Sequence, residues 1–220
     1  MAKTIYEDML SFRDTYSYQE VKNIVCNADI DAISKLLEES CKCGVIRDTE
    51  LLLSIAKAEG LQISINNSLI YAIANHHNAI VKLLLKNGAD CTYNYYEPFI
   101  TCAHYNNIRA YDLLAQRGDI NFNNDELLYL CVDYNCDVIL DRWLSAQNTP
   151  VDKYVIACIL DDIEYYNRPE LMNVIKKYYD DDGMPRNVEE TMNLKTSYKS
   201  YSSDNIMTQP DSPDHEYYSS

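Results

Sequence analysis

Two thiols in Cys41-Lys42-Cys43 stand close enough to share a soft metal ion, and His76-His77 offers two imidazoles further along the chain. A zinc site takes four ligands that arrive in recognisable pairs, and neither a Cys-x-x-Cys step nor a His pair of suitable spacing lies near Cys41. The reading is therefore small core thiols and histidines of an interhelix loop, with no metal and no cofactor. The carboxylate runs Asp161-Asp162 and Asp180-Asp181-Asp182 could serve acid–base chemistry. That role needs a pocket that shifts a pKa, and these runs fall at predicted helix ends, where they read as solvated charge. The five glycines stand singly, so no glycine-rich loop cradles phosphate. No catalytic residue is assigned. What remains is 20 tyrosines, side chains suited to contact: large area, few torsions to freeze and a hydroxyl for polar pairing.

The elements that position them show in the window Ser68 to Asp90. A short apolar helix, a polar break at His76-His77 and a second apolar helix follow one another, which predicts an antiparallel helix pair. Leu83-Leu84-Leu85 and Lys86 are followed by Gly88, the arrangement of a left-handed C-cap with a cation near the helix dipole, so the second helix ends near Asn87. A shift of about 30 residues lays Pro98 to Asp119 on this window: Gly118 falls on Gly88, Leu113-Leu114 on Leu83-Leu84, and Cys102 on Ala72. A third copy, Glu126 to Leu144, puts Trp143-Leu144 in the Leu-Leu slot. A fourth runs from Tyr154 to Leu160 and then from Pro169 to Lys177, with Pro169 at a helix start. Upstream, Val21 to Ala28 and Asp29 to Glu38 are expected to pair. Leu51 to Ala58 is expected to be a first helix with a short or absent partner.

A period of this size built from helix pairs is the pattern of a solenoid, and the residues resemble the ankyrin repeat family. The resemblance rests on Ser68-Leu69 and Pro98-Phe99, where that family has Thr-Pro-Leu-His, on Ala72 and Cys102 in its alanine slot, on Ile80 to Leu85, and on Gly88-Ala89-Asp90. The His of the motif is replaced by Ile70 and Ile100, and the third copy lacks its terminal Gly. Degenerate arrays with this Asn, Ile and Tyr bias resemble those of large DNA viruses. The resemblance implies an all-α fold, a helix-pair solenoid of ankyrin-like repeats over residues 20–179 after an extension at 1–19. It also implies recognition through projecting loops and a concave face lined by first helices. On that basis Tyr95 and Tyr96 in the loop Cys91 to Glu97, with His104 and Tyr105, occupy partner-touching positions; flanking copies add Asn75, Asp133 and Tyr134.

Composition narrows the classes. Nineteen Lys and Arg against 34 Asp and Glu leave a net charge of -15, which disfavours nucleic acid and favours a protein partner with a basic patch. No apolar run nears the roughly 18 residues that span a bilayer, and the first residues carry charge, so a cytoplasmic or nuclear protein is expected. Cys102, Cys131 and Cys158 sit among apolar residues and read as reduced core thiols. Residues 180–220 are rich in Ser, Tyr and Asp, with too few aliphatics to offset ordering entropy, and read as a disordered acidic tail. Its Thr208-Gln-Pro-Asp211 and Ser212-Pro213 are minimal phosphorylation contexts. The expectation is a non-catalytic protein-interaction module. The rival is an enzyme or enzyme subunit on a helical scaffold.

Overall fold

The computed structural model describes residues 18–117, 125–147 and 149–186. Eleven helices follow one another among the described residues: α1 (Tyr18–Asn27), α2 (Ile30–Lys42), α3 (Ile46–Glu59), α4 (Asn66–Ala74), α5 (Asn78–Lys86), α6 (Tyr93–His104), α7 (Ile108–Ala115), α8 (Asp125–Asp133), α9 (Asp137–Ala146), α10 (Lys153–Tyr165) and α11 (Pro169–Tyr178). No strand accompanies them, only an isolated bridge between Tyr179 and Pro185. The expected all-α solenoid is the architecture found. Residues 1–17, Gly118 and the expected tail from 187 onward lie outside the described residues.

One turn, repeated, makes the pairs. Each even-numbered helix ends at a residue with left-handed backbone: Gly44 (φ 74°), His76 (59°), Asn106 (49°), Asn135 (56°) and Asn167 (52°). The next N–H then reaches back to the helix: Val45 to Ser40 O, His77 to Ala72 O, Asn107 to Cys102 O, Cys136 to Cys131 O and Arg168 to Ile163 O. This is the Schellman closure, and Gly and Asn are the residues that enter it at least cost. The accepting carbonyls belong to Ser40, Ala72, Cys102, Cys131 and Ile163, all buried. Two cysteines thus act there as small apolar side chains.

Stacking produces two rows. Helices α2, α4, α6, α8 and α10 pack in sequence as a first-helix row, and α1, α3, α5, α7, α9 and α11 as a second-helix row. Leu-Leu slots supply the apolar stripe of the second row, with Leu84, Leu85, Leu114, Trp143 and Leu144 buried. Ion pairs bind this row from repeat to repeat: Lys22 to Glu59 (2.6 Å), Arg142 to Asp112, and Lys177 to Asp141 (3.0 Å).

The rows correct the expected phase at the N-terminal end. Val21 to Ala28 does not pair with the helix that follows it; α1 stacks on α3, and Leu51 to Ala58 belongs to a second helix whose partner is α2. The physical reason is length. Leu52 and Leu53 are buried like Leu84 and Leu85, but one further helical turn separates them from Gly60, so leucines and glycine cannot both match the next copy. At the other end, residues 180–186 fold back on the array. Asp180 accepts the N–H groups of Asp182 (3.0 Å) and Met184 (2.8 Å), Arg186 N–H donates to Tyr178 O (2.8 Å), and the Tyr179 hydroxyl accepts from Val151 N–H (2.9 Å). The Asp180 carboxylate therefore builds a turn, and Asp181 pairs with Lys176 (2.9 Å), which lowers its pKa.

Neighbouring repeats also share a polar bridge. His77 Nε2 lies 3.0 Å from Lys42 O, Asn107 Nδ2 donates to Ile73 O (2.9 Å), and Cys136 Sγ donates to Ala103 O (3.1 Å). Gly44 is necessary for the first of these, because a Cβ there would lie 2.5 Å from the His77 ring. Gly44→Ala should therefore cost about 2–3 kcal/mol, from left-handed strain plus a weakened bridge. Gly88→Ala (φ 93°), where a Cβ meets nothing within 4 Å, should cost only about 1 kcal/mol. Urea unfolding of the two variants checks the difference, and equal midpoints would remove the role given to the His77 contact.

Candidate functional site

The left-handed turn sets which side chains reach solvent. The residue just before it still donates to the helix, Asn75 to Tyr71 O, Tyr105 to Thr101 O, Tyr134 to Leu130 O and Tyr166 to Asp162 O, while its side chain stays exposed. One such side chain per repeat stands at the same end of the first-helix row. Adjacent packed helices lie roughly 8–10 Å apart, which places neighbouring side chains within reach of one bound segment.

The structure brings three of the expected residues together. The His104 ring packs against Tyr105 at 4.7 Å between centroids and against Tyr134, from the next repeat, at 4.6 Å, tilted by 50° and 45°. Both tyrosines remain close to half exposed, 45% and 46%. Asp133 is exposed beside Tyr134, and Asn75 is exposed at the equivalent place in the preceding repeat, its amide donating to Tyr71 O at 2.8 Å.

Tyr95 and Tyr96 stand apart from that group. They lie at the start of α6, where Asn94, Tyr95 and Tyr96 all adopt left-handed backbone (φ 49°, 58° and 65°), while His104 and Tyr105 lie at its end. Tyr95 is 87% exposed, as a loop tip would be. Tyr96 instead leans into the molecule, 6.3 Å from Phe99. Asn94 Nδ2 bonds the Glu97 carboxylate at 2.6 Å and holds the turn.

Sequence reasoning missed two members of the row. Tyr165 and Tyr166 occupy in the last repeat the places of His104 and Tyr105, stacked edge to face at 5.1 Å, with the Arg168 guanidinium 5.2 Å from the Tyr166 ring. A signal existed: the step Tyr-Asn recurs at Tyr105-Asn106, Tyr134-Asn135 and Tyr166-Asn167. It was hidden because the last first helix was read as ending at Leu160, whereas α10 continues to Tyr165.

The thiols divide as burial dictates. Cys41, Cys91, Cys102, Cys131 and Cys136 are buried, and burial pushes the Cys41 and Cys136 thiols up to about 11. Cys43 is exposed while Cys41 is buried, so the pair does not converge, and no group of three or more metal-ligating side chains occurs among the described residues. Cys158 corrects the reading of it as a core thiol. The small slot of its repeat is filled by Ile163, and Cys158 lies off the buried stripe of Ile156, Ile159 and Ile163, facing solvent.

Over 76 residues the chain is 42% identical to a protein of Acanthamoeba polyphaga mimivirus named as an ankyrin repeat protein, a stretch covering 34% of this chain and 28% of that one. No family model matches the chain, and no solved structure matches it significantly. Over this stretch the sequence resembles a viral ankyrin repeat protein, and the chain spans about a quarter of that relative's length.

The burial pattern predicts thiol chemistry. An aromatic disulfide reagent at neutral pH should label Cys26, Cys43 and Cys158 quickly and the other five thiols only after denaturation. Mass mapping that found Cys102 or Cys131 labelled in the native protein would contradict the packing described.

Proposed function

We propose that this chain is a non-catalytic protein-interaction module that holds a protein partner on the exposed ends of its first helices. The observation that carries the reading is the packing of His104 against Tyr105 and Tyr134, which joins two repeats into one solvent-facing aromatic surface. Packed rings lose little further freedom on binding, and Tyr is among the residues that dominate interface energetics. The mimivirus relative, named for its ankyrin repeats, supports the module reading.

In this proposal Tyr105, Tyr134 and His104 form the centre, Asn75 and Asp133 flank it, and Tyr95 forms a second contact at the loop tip, with Tyr96 packed beneath it against Phe99. The net charge of -15 places nucleic acid outside the proposal. None of the described helices is long and apolar enough to cross a membrane. We place the module in the cytoplasm or nucleus on the strength of its five buried thiols, which the fold keeps unpaired.

A photo-crosslinking residue installed at position 105 or 134 tests the site, with exposed Glu170 on α11 as the control position. Crosslinks to another protein should form from 105 and 134 and not from 170. Tyr105→Ala with Tyr134→Ala should weaken capture of that protein by well over tenfold while leaving the melting midpoint nearly unchanged. Equal crosslinking from position 170, or capture that survives the double variant, would move the binding surface elsewhere.

A further inference from the structure

Charge is segregated between the two rows. In the first-helix row, α6, α8 and α10 carry seven carboxylates and one lysine, whereas α7, α9 and α11 of the second row carry four of each sign. The second-row charges are also the ones that pair between repeats, Arg142 with Asp112 and Lys177 with Asp141. On the first row Asp125, Asp133 and Asp162 have no cationic partner among the described residues.

Those carboxylates interleave with exposed rings. Asp125, Tyr129 and Asp133 follow at four-residue spacing on α8, which sets them on one face of that helix. Helix α10 packs against α8, and desolvation, followed by the nearby carboxylates Asp125 and Asp162, raises the Tyr129 phenol pKa. Tyr129 is exposed, and the His104, Tyr105 and Tyr134 cluster continues the surface toward α6.

The molecule itself shows what such rings take. Lys42 sits 4.2 Å from the centroid of Tyr71, Lys153 4.9 Å from Tyr154 and Arg168 5.2 Å from Tyr166. A cation over a tyrosine face is attracted by the ring quadrupole, and a carboxylate beside it adds a charged acceptor. Tyr129 has the flanking carboxylates and an exposed ring, and none of these three cations is placed over it.

We propose that the face formed by Asp125, Tyr129, Asp133 and Asp162 docks a lysine- or arginine-bearing segment of the protein partner, one cation seated at Tyr129 between carboxylates of α8 and α10. This rests on the interaction-module reading and gives it a partner chemistry. The chain's own residues 187–220 carry six acidic side chains and two lysines, so charge complementarity favours a separate basic partner over that segment. A second copy meeting it with the same face would be repelled by the same charge.

The experiment uses the full chain and a labelled peptide of about ten residues alternating Lys and Ser, with a Glu-for-Lys peptide as control, read by fluorescence anisotropy. The basic peptide should bind and weaken as salt rises, and the acidic one should not bind. Asp133→Asn with Asp162→Asn should lower affinity at least tenfold. Asp137→Asn with Glu170→Gln, the same charge change on the second row, should stay within about twofold. Tyr129→Leu, which alters no charge, should cost about threefold or more. Equal losses from both charge pairs, no effect of Tyr129→Leu, or no binding of the basic peptide would each overturn the proposal. If crosslinks from positions 105 and 134 persist when the basic peptide fails, the docking reading stands and only the cationic partner chemistry is lost.

Discussion

At three successive repeat boundaries the residue that follows the left-handed turn sends its side chain back to a carbonyl near the end of the preceding first helix. Asn107 shows the arrangement at its most complete. Its amide nitrogen donates to Ile73 O across the repeat boundary (2.9 Å), its amide oxygen accepts Ala110 N–H at the start of α7 (3.1 Å), and the residue is buried. One side chain thereby satisfies the preceding repeat and caps its own second helix. Ile73 O also accepts His76 N–H (3.1 Å), so the bridge adds the net worth of one hydrogen bond, about 1 kcal/mol, and the cap about as much again. His77 and Cys136 cross the adjacent boundaries to Lys42 O and Ala103 O, but their side chains do not cap the helices that follow.

That register decides the surface. Because the bridging residue directly follows the left-handed turn, the exposed side chain just before the turn is carried to the same height in each repeat. His104 can pack against Tyr134 only because the boundary between those repeats is held at this offset. Charge follows the same division. The second-helix row neutralises itself through bridges such as Lys177 to Asp141, joined by the Tyr178 hydroxyl on Asp141 at 2.9 Å. In the first-helix row Asp125, Asp133 and Asp162 have no ion-pair partner among the described residues, and Tyr129 and Tyr134 stand exposed with them on α8 and at its end.

The sequence made part of this legible. Gly88, Leu83-Leu84-Leu85 and their counterparts around Leu113 and Trp143 announced helix pairs because cap chemistry and apolar slots recur at nearly constant spacing. The phase of α3 was not legible, since its extra turn between Leu53 and Gly60 breaks that spacing while leaving every residue a good helix former. Tyr165 and Tyr166 were lost for a related reason, repeat lengths that vary by two or three residues around a fixed shift. His104, Tyr105 and Tyr134 are each legible from position in the repeat, but the ring contacts that join them apart from Tyr95 and Tyr96 are not. That Tyr95 stands at the opposite end of α6 depends on three consecutive left-handed residues, a conformation that no residue type in Asn94-Tyr95-Tyr96 encodes strongly.

The bridge at Asn107 carries the central claim, and the lone tryptophan reports on it. Trp143 is buried in α9, two helices beyond α7, so its fluorescence follows the C-terminal repeats while far-ultraviolet circular dichroism follows the whole array. In urea the unaltered protein should show coincident transitions by both probes. Asn107→Ala loses the bridge and the cap together, which should lower stability by about 2 kcal/mol and separate the two transitions as neighbouring repeats uncouple. An Asn107→Ala protein with both transitions coincident at the unaltered midpoint would contradict the claim that these side-chain-to-carbonyl bridges set the register of the array.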